Sequence, residues 1–217
     1  MTNLIQTLIS GLSLGSIYAL IALGYTMVYG IAKMLNFAHG DVIMVGAYSG
    51  IVAVAQLGLS PWVTVIVSIV VCAVLGVVIE FCAYKPLRQA APLSVLITAI
   101  GVSYLLQNAA LLLFGSQQMA YPTLVKLGSF SLGGVQVDGI TVLTLAVTAV
   151  LMAALTLFID KTKLGKAMRA VSEDKDAATL MGISVDRTIT LTFAIGSALA
   201  AFASMFYGMT YVYIKPT

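Results

Sequence analysis

Six long apolar stretches divide the chain, near residues 7–30, 37–57, 62–83, 93–114, 140–159 and 188–213. Each approaches the ~20 residues that a helix needs to cross about 30 Å of hydrocarbon. The pattern therefore predicts an all-α polytopic membrane protein with about six transmembrane segments, forming one transmembrane domain over residues 1–217. The second stretch starts on glycine and polar residues, and the pattern leaves open whether 37–57 spans fully or re-enters.

Two interruptions are long enough to carry structure of their own. Residues 115–139 hold Pro122, Gly128, Gly133 and Gly134 around alternating apolar positions in KLGSFSLGGVQVDG, which predicts a short β-hairpin. Residues 160–187 read DKTKLGKAMRAVSEDKDAATLMGISVDR and contain more than half of the charged side chains. Each charge would cost roughly 2.5–3.5 kcal/mol at the centre of a membrane helix, so this segment belongs in water or against a soluble partner. Leu164, Ala167, Met168 and Val171 recur at i, i+3, i+4, i+7 and predict a first short helix with an apolar stripe. Ser172 is placed to cap a second helix, with Glu173 and Asp174 in its first turn. Ala177, Leu180 and Met181 form the apolar face of that helix, and Gly182 stands where a C′ glycine ends one.

The basic residues orient the spans. Lys33 follows the first run, Lys85 and Arg88 the third, and Lys161, Lys163, Lys166, Arg169, Lys175 and Arg187 the fifth. With alternating spans these nine share one side, while Lys126 and Lys215 fall on the other. The positive-inside bias puts the N-terminus and loop 115–139 outside and loop 160–187 in the cytoplasm.

Composition excludes a soluble domain. Hydrophobic residues make up 60% and charged residues 9%, against about 25% charged in soluble domains, and the mean hydropathy is +1.05. The first six residues lack a basic region and the first run is long enough to remain in the membrane, so no cleavable signal peptide is expected. Cys72 and Cys82 lie on one predicted helix and point in different directions, so no mutual disulfide is expected. With a single histidine, no ordinary zinc or haem site is expected either. A G-x-x-x-x-G-K-S/T phosphate loop is missing from the sequence.

Polar residues inside the spans are the candidates for a pathway or for its scaffold. Asn36, His39 and Asp41 open the second run, where Asn36 or Asp41 would cap a helix and His39 would bond into the bundle or relay a proton. Tyr18, Tyr25 and Tyr29 share one face of the first run with Ala22. Tyr18 lies too deep for an interfacial belt, which leaves packing or a place on the pathway. Tyr104, Gln107 and Asn108 share a face of the fourth run and suit interhelical hydrogen bonds or contact with a polar solute. Glu80 reads as a juxtamembrane acid beside Lys85 and Arg88. Small residues four apart, Gly11/Gly15, Gly46/Gly50 and Ala194/Ala198 among them, predict close helix packing.

The segments GLSLGSIYALIALGYTMVYGI, MLNFAHGDVIMVGAY and RAVSEDKDAATLMGISVDRTITLTFAIG resemble the LivH-type permeases, membrane subunits of branched-chain amino acid ABC importers. The resemblance runs through Tyr213. Importer permeases carry an E-A-A-x-x-x-G loop that docks on the ATPase, and Asp176-Ala177-Ala178-x-x-x-Gly182 is similar to it, with Asp for Glu. Asp176, Ala177, Ala178, Leu180, Met181 and Gly182 are thereby implied as an ATPase-coupling element. The resemblance further implies a homologous second permease, two cytoplasmic ATPase subunits that bind ATP and Mg, and a periplasmic substrate-binding protein. It implies a bacterial inner-membrane location, no catalysis and no cofactor in this chain. LivH-type chains continue through further spans after the stretch matching Met209–Pro216, so a shortened chain is expected. The other reading of the residues is a self-contained secondary transporter or channel for small polar solutes, with His39 and Asp41 as its coupling groups.

Overall fold

The computed structural model describes residues 2–125, 127–132 and 135–215. Eight α-helices follow in order: α1 (Thr2–Ala32), α2 (His39–Ile51), α3 (Pro61–Ile79), α4 (Pro92–Phe114), α5 (Gly139–Lys161), α6 (Lys163–Glu173), α7 (Lys175–Leu180) and α8 (Val185–Tyr211). Strand β1 (Met119–Ala120) pairs antiparallel with β4 (Tyr213–Ile214), and β2 (Ser129–Leu132) with β3 (Val135–Asp138). The second pair is the hairpin that the alternation in 115–139 predicts. Lys126, Gly133 and Gly134, named above as an outer charge and turn residues, lie outside the described residues.

Among the described residues, five helical stretches are long and apolar enough to cross a membrane: Leu4–Ala32, Pro61–Leu87, Pro92–Phe114, Gly139–Lys161 and Val185–Tyr211. Proline at the first position starts α3 and α4 without the loss of a backbone bond. The second apolar run is shorter than the rule demands. It is a 13-residue α-helix continued by a five-residue π turn, Val52–Gln56, which at 1.5 Å per residue covers about 27 Å. It nevertheless lies antiparallel beside α3, with Cys72 Sγ against Val42 O at 3.6 Å and Ser49 Oγ donating to Ser68 Oγ at 2.9 Å. At one end the Tyr84 hydroxyl donates to Asn36 Oδ1 at 3.1 Å, and at the other Gly50 lies against the Tyr121 ring of the loop after α4. The segment therefore runs alongside its neighbour instead of turning back within the bundle. Helices α3, α4 and α8 pack around it, so its polar start meets protein in place of lipid.

Helix α8 is the centre of the bundle: 67% of its apolar window is buried, against 11–28% in the other four spans. Small residues allow this. A side chain at Gly24 of α1 would meet the Gly196 carbonyl oxygen at 2.7 Å, and one at Gly76 of α3 would meet Ser197 Oγ at 2.0 Å. Gly46 likewise lies against Ser204, whereas Gly11 and Gly15 have open space around them. The run-six spacing and Gly46 thus mark helix contacts, Gly50 receives a loop side chain, and the Gly11/Gly15 pair meets no neighbour among the described residues.

Segment 160–187 folds into two short helices at the end of the bundle that also gathers Lys33, Lys85 and Arg88. The Thr162 hydroxyl caps α6 by accepting from Gly165 N at 3.0 Å. The break between α6 and α7 comes later than the expected cap at Ser172, whose hydroxyl instead donates back to Arg169 O inside α6. Asp174 is the cap, extended in backbone, with Oδ1 accepting from Asp176 N at 2.8 Å and Ala177 N at 3.0 Å. A carboxylate outcompetes a hydroxyl there because it takes both amides and faces the positive end of the dipole. At the other end Gly182 has φ +79°. Ile183 N bonds Ala178 O, and Gly182 N bonds Thr179 O, which is the paired arrangement that a left-handed glycine permits.

Candidate functional site

Helix α7 has two unlike faces. Ala178 is 3% exposed and packs toward the bundle. Asp176 and Ala177 face outward, and Leu180 and Met181 are 88% and 81% exposed. The implied coupling motif is therefore divided: Ala178 anchors the helix, Gly182 ends it, and the remaining members form a free surface. The stripe on α6 is divided too, with Met168 and Val171 buried in a cluster with Ile189 and Phe193 of α8, and Leu164 left at the margin.

Two connections tie this surface to the spans, and a third joins α8 to the end of α3 beside it. The α6 stripe is the first. The second is Lys175, whose ammonium donates to the Ala32 carbonyl at the end of α1 at 3.0 Å. Burial, with Arg88 and Lys33 nearby, holds its pKa below the usual lysine value. The third is a charge network that the sequence reading reduced to a juxtamembrane acid. Glu80 is fully buried; it pairs with the Arg88 guanidinium and accepts from Thr190 Oγ1 of α8 at 2.8 Å. Arg88 also pairs with Asp186 in the first turn of α8, and Lys85 Nζ reaches the same carboxylate at 3.4 Å. Glu80 opens a second π turn, Glu80–Tyr84, and the chain then turns through Lys85–Leu87, so Arg88 folds back over an acid eight residues earlier. The acid–base order in the sequence gives a hint of pairing, but nothing there signals Thr190 or Asp186.

The in-span polar candidates part company. Asn36 and Asp41 do not cap α2, whose N-cap position is Ala38 without a side-chain bond. Asn36 is instead held by Tyr84, and Asp41 accepts from Gln107 Nε2 at 3.0 Å. Helix α4 crosses close enough to bring Gln107 to that carboxylate, which already completes the first turn of α2. His39 is buried with its ring against Gly24 and edge-on to Tyr25, centroids 6.0 Å apart. Neither of its nitrogens meets a partner of good geometry among the described residues. Tyr104 and Asn108 turn away from Gln107's partner: Tyr104 is 62% exposed, and Asn108 only donates to Tyr104 O one turn back. Tyr18 is also outward, on a strip of α1 that continues through Ala22, Thr26 and Tyr29. Between α1, α2 and α8 opens a cavity of about 420 Å³, walled by Ile21, Ile43, Met44 and Ala47 with Tyr207 and Lys215 as polar members.

A protein family described as branched-chain amino acid transport system / permease component matches residues 7–217. The chain belongs to that family. This permease is 45% identical to the high-affinity branched-chain amino acid transport system permease protein BraD of Pseudomonas aeruginosa, over 98% of this chain and 73% of BraD. It is 42% identical to the permease protein LivH of Escherichia coli strain K12, again over 98% of this chain and 73% of that protein. The permease protein LivM of Salmonella typhimurium is similar at 27% identity, over 92% of this chain and 52% of LivM. No solved structure matches the permease.

Proposed function

We propose that this permease carries branched-chain amino acids across a bacterial inner membrane as one of two homologous membrane subunits. Cytoplasmic ATPases holding ATP and Mg drive it, and a periplasmic binding protein supplies the substrate. The observation that carries the reading is the exposed apolar face of α7, Ala177, Leu180 and Met181, presented at the basic end of the bundle. Apolar side chains that bare on a polar surface fit a protein partner, and family relatives are named as parts of a transport system. The family resemblance and the LivH and LivM relatives support a second, homologous permease beside this one.

The chain itself breaks no covalent bond. Closure of the ATPases pushes on α7, and the push passes to α8 through Met168 and Val171, from α8 to α3 through the Glu80–Arg88–Asp186 network, and to α1 through Lys175. Two arrangements of the bundle are thereby stabilised differently, one open to each side. The strip Tyr18, Ala22, Thr26 and Tyr29 forms the wall of the route, opposite the second permease. The outward residues of α3 and of the end of α4 are those that lipid suits, such as Val70, Val74, Leu112 and Leu113. Phenols and small residues on α1 give an amino acid's charged ends hydrogen-bonding groups, and the apolar wall of the cavity beside them, Ile21, Ile43, Met44 and Ala47, suits its side chain. Gln107 and Asp41 brace α2 against α4 rather than touch the substrate.

The test is leucine uptake into proteoliposomes holding the complete transporter. ATP inside the vesicles should be required, and Leu180→Arg with Met181→Arg should abolish uptake while the permease remains at its normal level in the membrane. Uptake driven by a proton gradient with the permease alone would overturn the reading in favour of a secondary transporter.

A further inference from the structure

At the basic end of the bundle, a cavity of about 340 Å³ lies between the ends of α1, α4 and α7. Lys33, Arg88 and Lys175 face it from three separate elements. The N-terminus of the 23-residue α4, which has no side-chain cap, opens onto it at Pro92. Pro92 has no N–H, and the helix adds positive potential to that of the cations through its dipole. The negative charge nearby is already used: Glu80 and Asp186 pair with Arg88, and Asp186 with Lys85. No described ion pair reaches Lys33 or Lys175, and the one bond of the Lys175 ammonium goes to the neutral Ala32 carbonyl. An ammonium has three donors, so Lys175 has donors to spare. Partial burial first, and then the like charges of Arg88 and Lys33, hold the Lys175 pKa below the usual lysine value.

We propose that this cavity binds the phosphate of an anionic phospholipid headgroup, held by Lys33 and Lys175 and by the α4 N-terminus. The remaining wall favours a lipid over a soluble anion. Tyr29, Leu35 and Leu96 line the cavity, and exposed Leu93 and Ile97 continue down α4 into the apolar span. A free phosphate has no use for that surface, whereas an acyl chain does. The site is also placed where such headgroups lie, at the cytoplasmic ends of spans. Because Lys175 begins α7, the lipid would bear on the coupling helix.

Native mass spectrometry of the complete transporter, supplied with phosphatidylglycerol, tests the proposal. Wild type should retain one more phosphatidylglycerol per copy of this chain than Lys33→Gln/Lys175→Gln. Each lysine is worth about 5-fold in affinity and the pair about 30-fold. The Lys33→Arg/Lys175→Arg pair should restore the lipid, which separates lost charge from misfolding. Arg88 is left intact because it holds Glu80 and Asp186. Equal retention by wild type and the glutamine pair would overturn the proposal. So would retention of phosphatidylcholine in place of phosphatidylglycerol, or displacement of the lipid by an equal concentration of inorganic phosphate. Release of the ATPases from the glutamine pair with its lipid count unchanged would assign the cavity to an acidic protein partner and also overturn it.

Discussion

Glu80→Gln is the substitution whose cost the structure defines best. Glu80 is fully buried, and the Arg88 side chain is only 13% exposed. Neutralising the acid leaves a largely buried guanidinium with Asp186 alone, a carboxylate that is 58% exposed and shared with Lys85. Removing one partner of a buried pair costs about 3–5 kcal/mol. The surviving Asp186 contact and the amide's own hydrogen bonds offset part of that, so roughly 2–3 kcal/mol is expected. For a chain of this size each kcal/mol shifts the thermal midpoint by about 2–4 °C, which puts the drop near ~4–12 °C. The assay is thermal unfolding of the purified transporter in detergent, followed through a fluorophore on this chain. A cycle with Thr190→Val sharpens it: the two residues share the 2.8 Å bond, so the double variant should be about 1 kcal/mol less damaged than the sum. A midpoint within 1 °C of wild type for Glu80→Gln, or strict additivity with Thr190→Val, would refute the buried network.

Three further outcomes follow from the geometry. Asp174→Ala removes the only side-chain cap of α7 and should cost about 1 kcal/mol of helix stability, seen as faster amide exchange at Asp176 and Ala177, while Asp174→Asn stays near wild type. Gly76→Ala forces a methyl to within 2.0 Å of Ser197 Oγ, so about 1–3 kcal/mol of overpacking should appear as a lowered unfolding midpoint, and the added Ser197→Gly should restore most of it. Gln107→Leu leaves buried Asp41 without its 3.0 Å donor, and a loss of about 1–3 kcal/mol is expected, whereas Asn108→Leu, on the exposed side of α4, should leave stability within about 0.5 kcal/mol.

The spans were legible because lipid imposes one rule on every residue in them. The predicted run 93–114 differs from α4 by one residue, and 140–159 from α5 by three in all. The hairpin and the Gly182 stop were legible because alternation and a left-handed glycine are local signals. The second run needed tertiary information: a short crossing is tolerated only when neighbours shield it, and no local pattern records that α3, α4 and α8 surround α2. The expected Ser172 cap gives way for a smaller reason: Asp174, two residues on, carries a carboxylate that accepts from both free amides. Position alone suggests that Asn36 or Asp41 caps α2, because they precede or open it, yet their partners, Tyr84 and Gln107, come from other helices. Glu80 was undervalued for the same cause: Thr190 lies 110 residues away in the chain. Positions were visible in the sequence; meetings between distant helices were not.

The central claim is that the free face of α7 seats the ATPase, and cross-linking reads this directly. Cys82 is exposed and would first be changed to serine, leaving buried Cys72 in place. Met181→Cys in the complete transporter, treated with a short thiol-to-amine cross-linker, should then yield an adduct with an ATPase subunit, and its yield should change when ATP is added. An adduct of the same size from Leu112→Cys, on the lipid-facing side of α4, or none from Met181→Cys, would contradict the assignment.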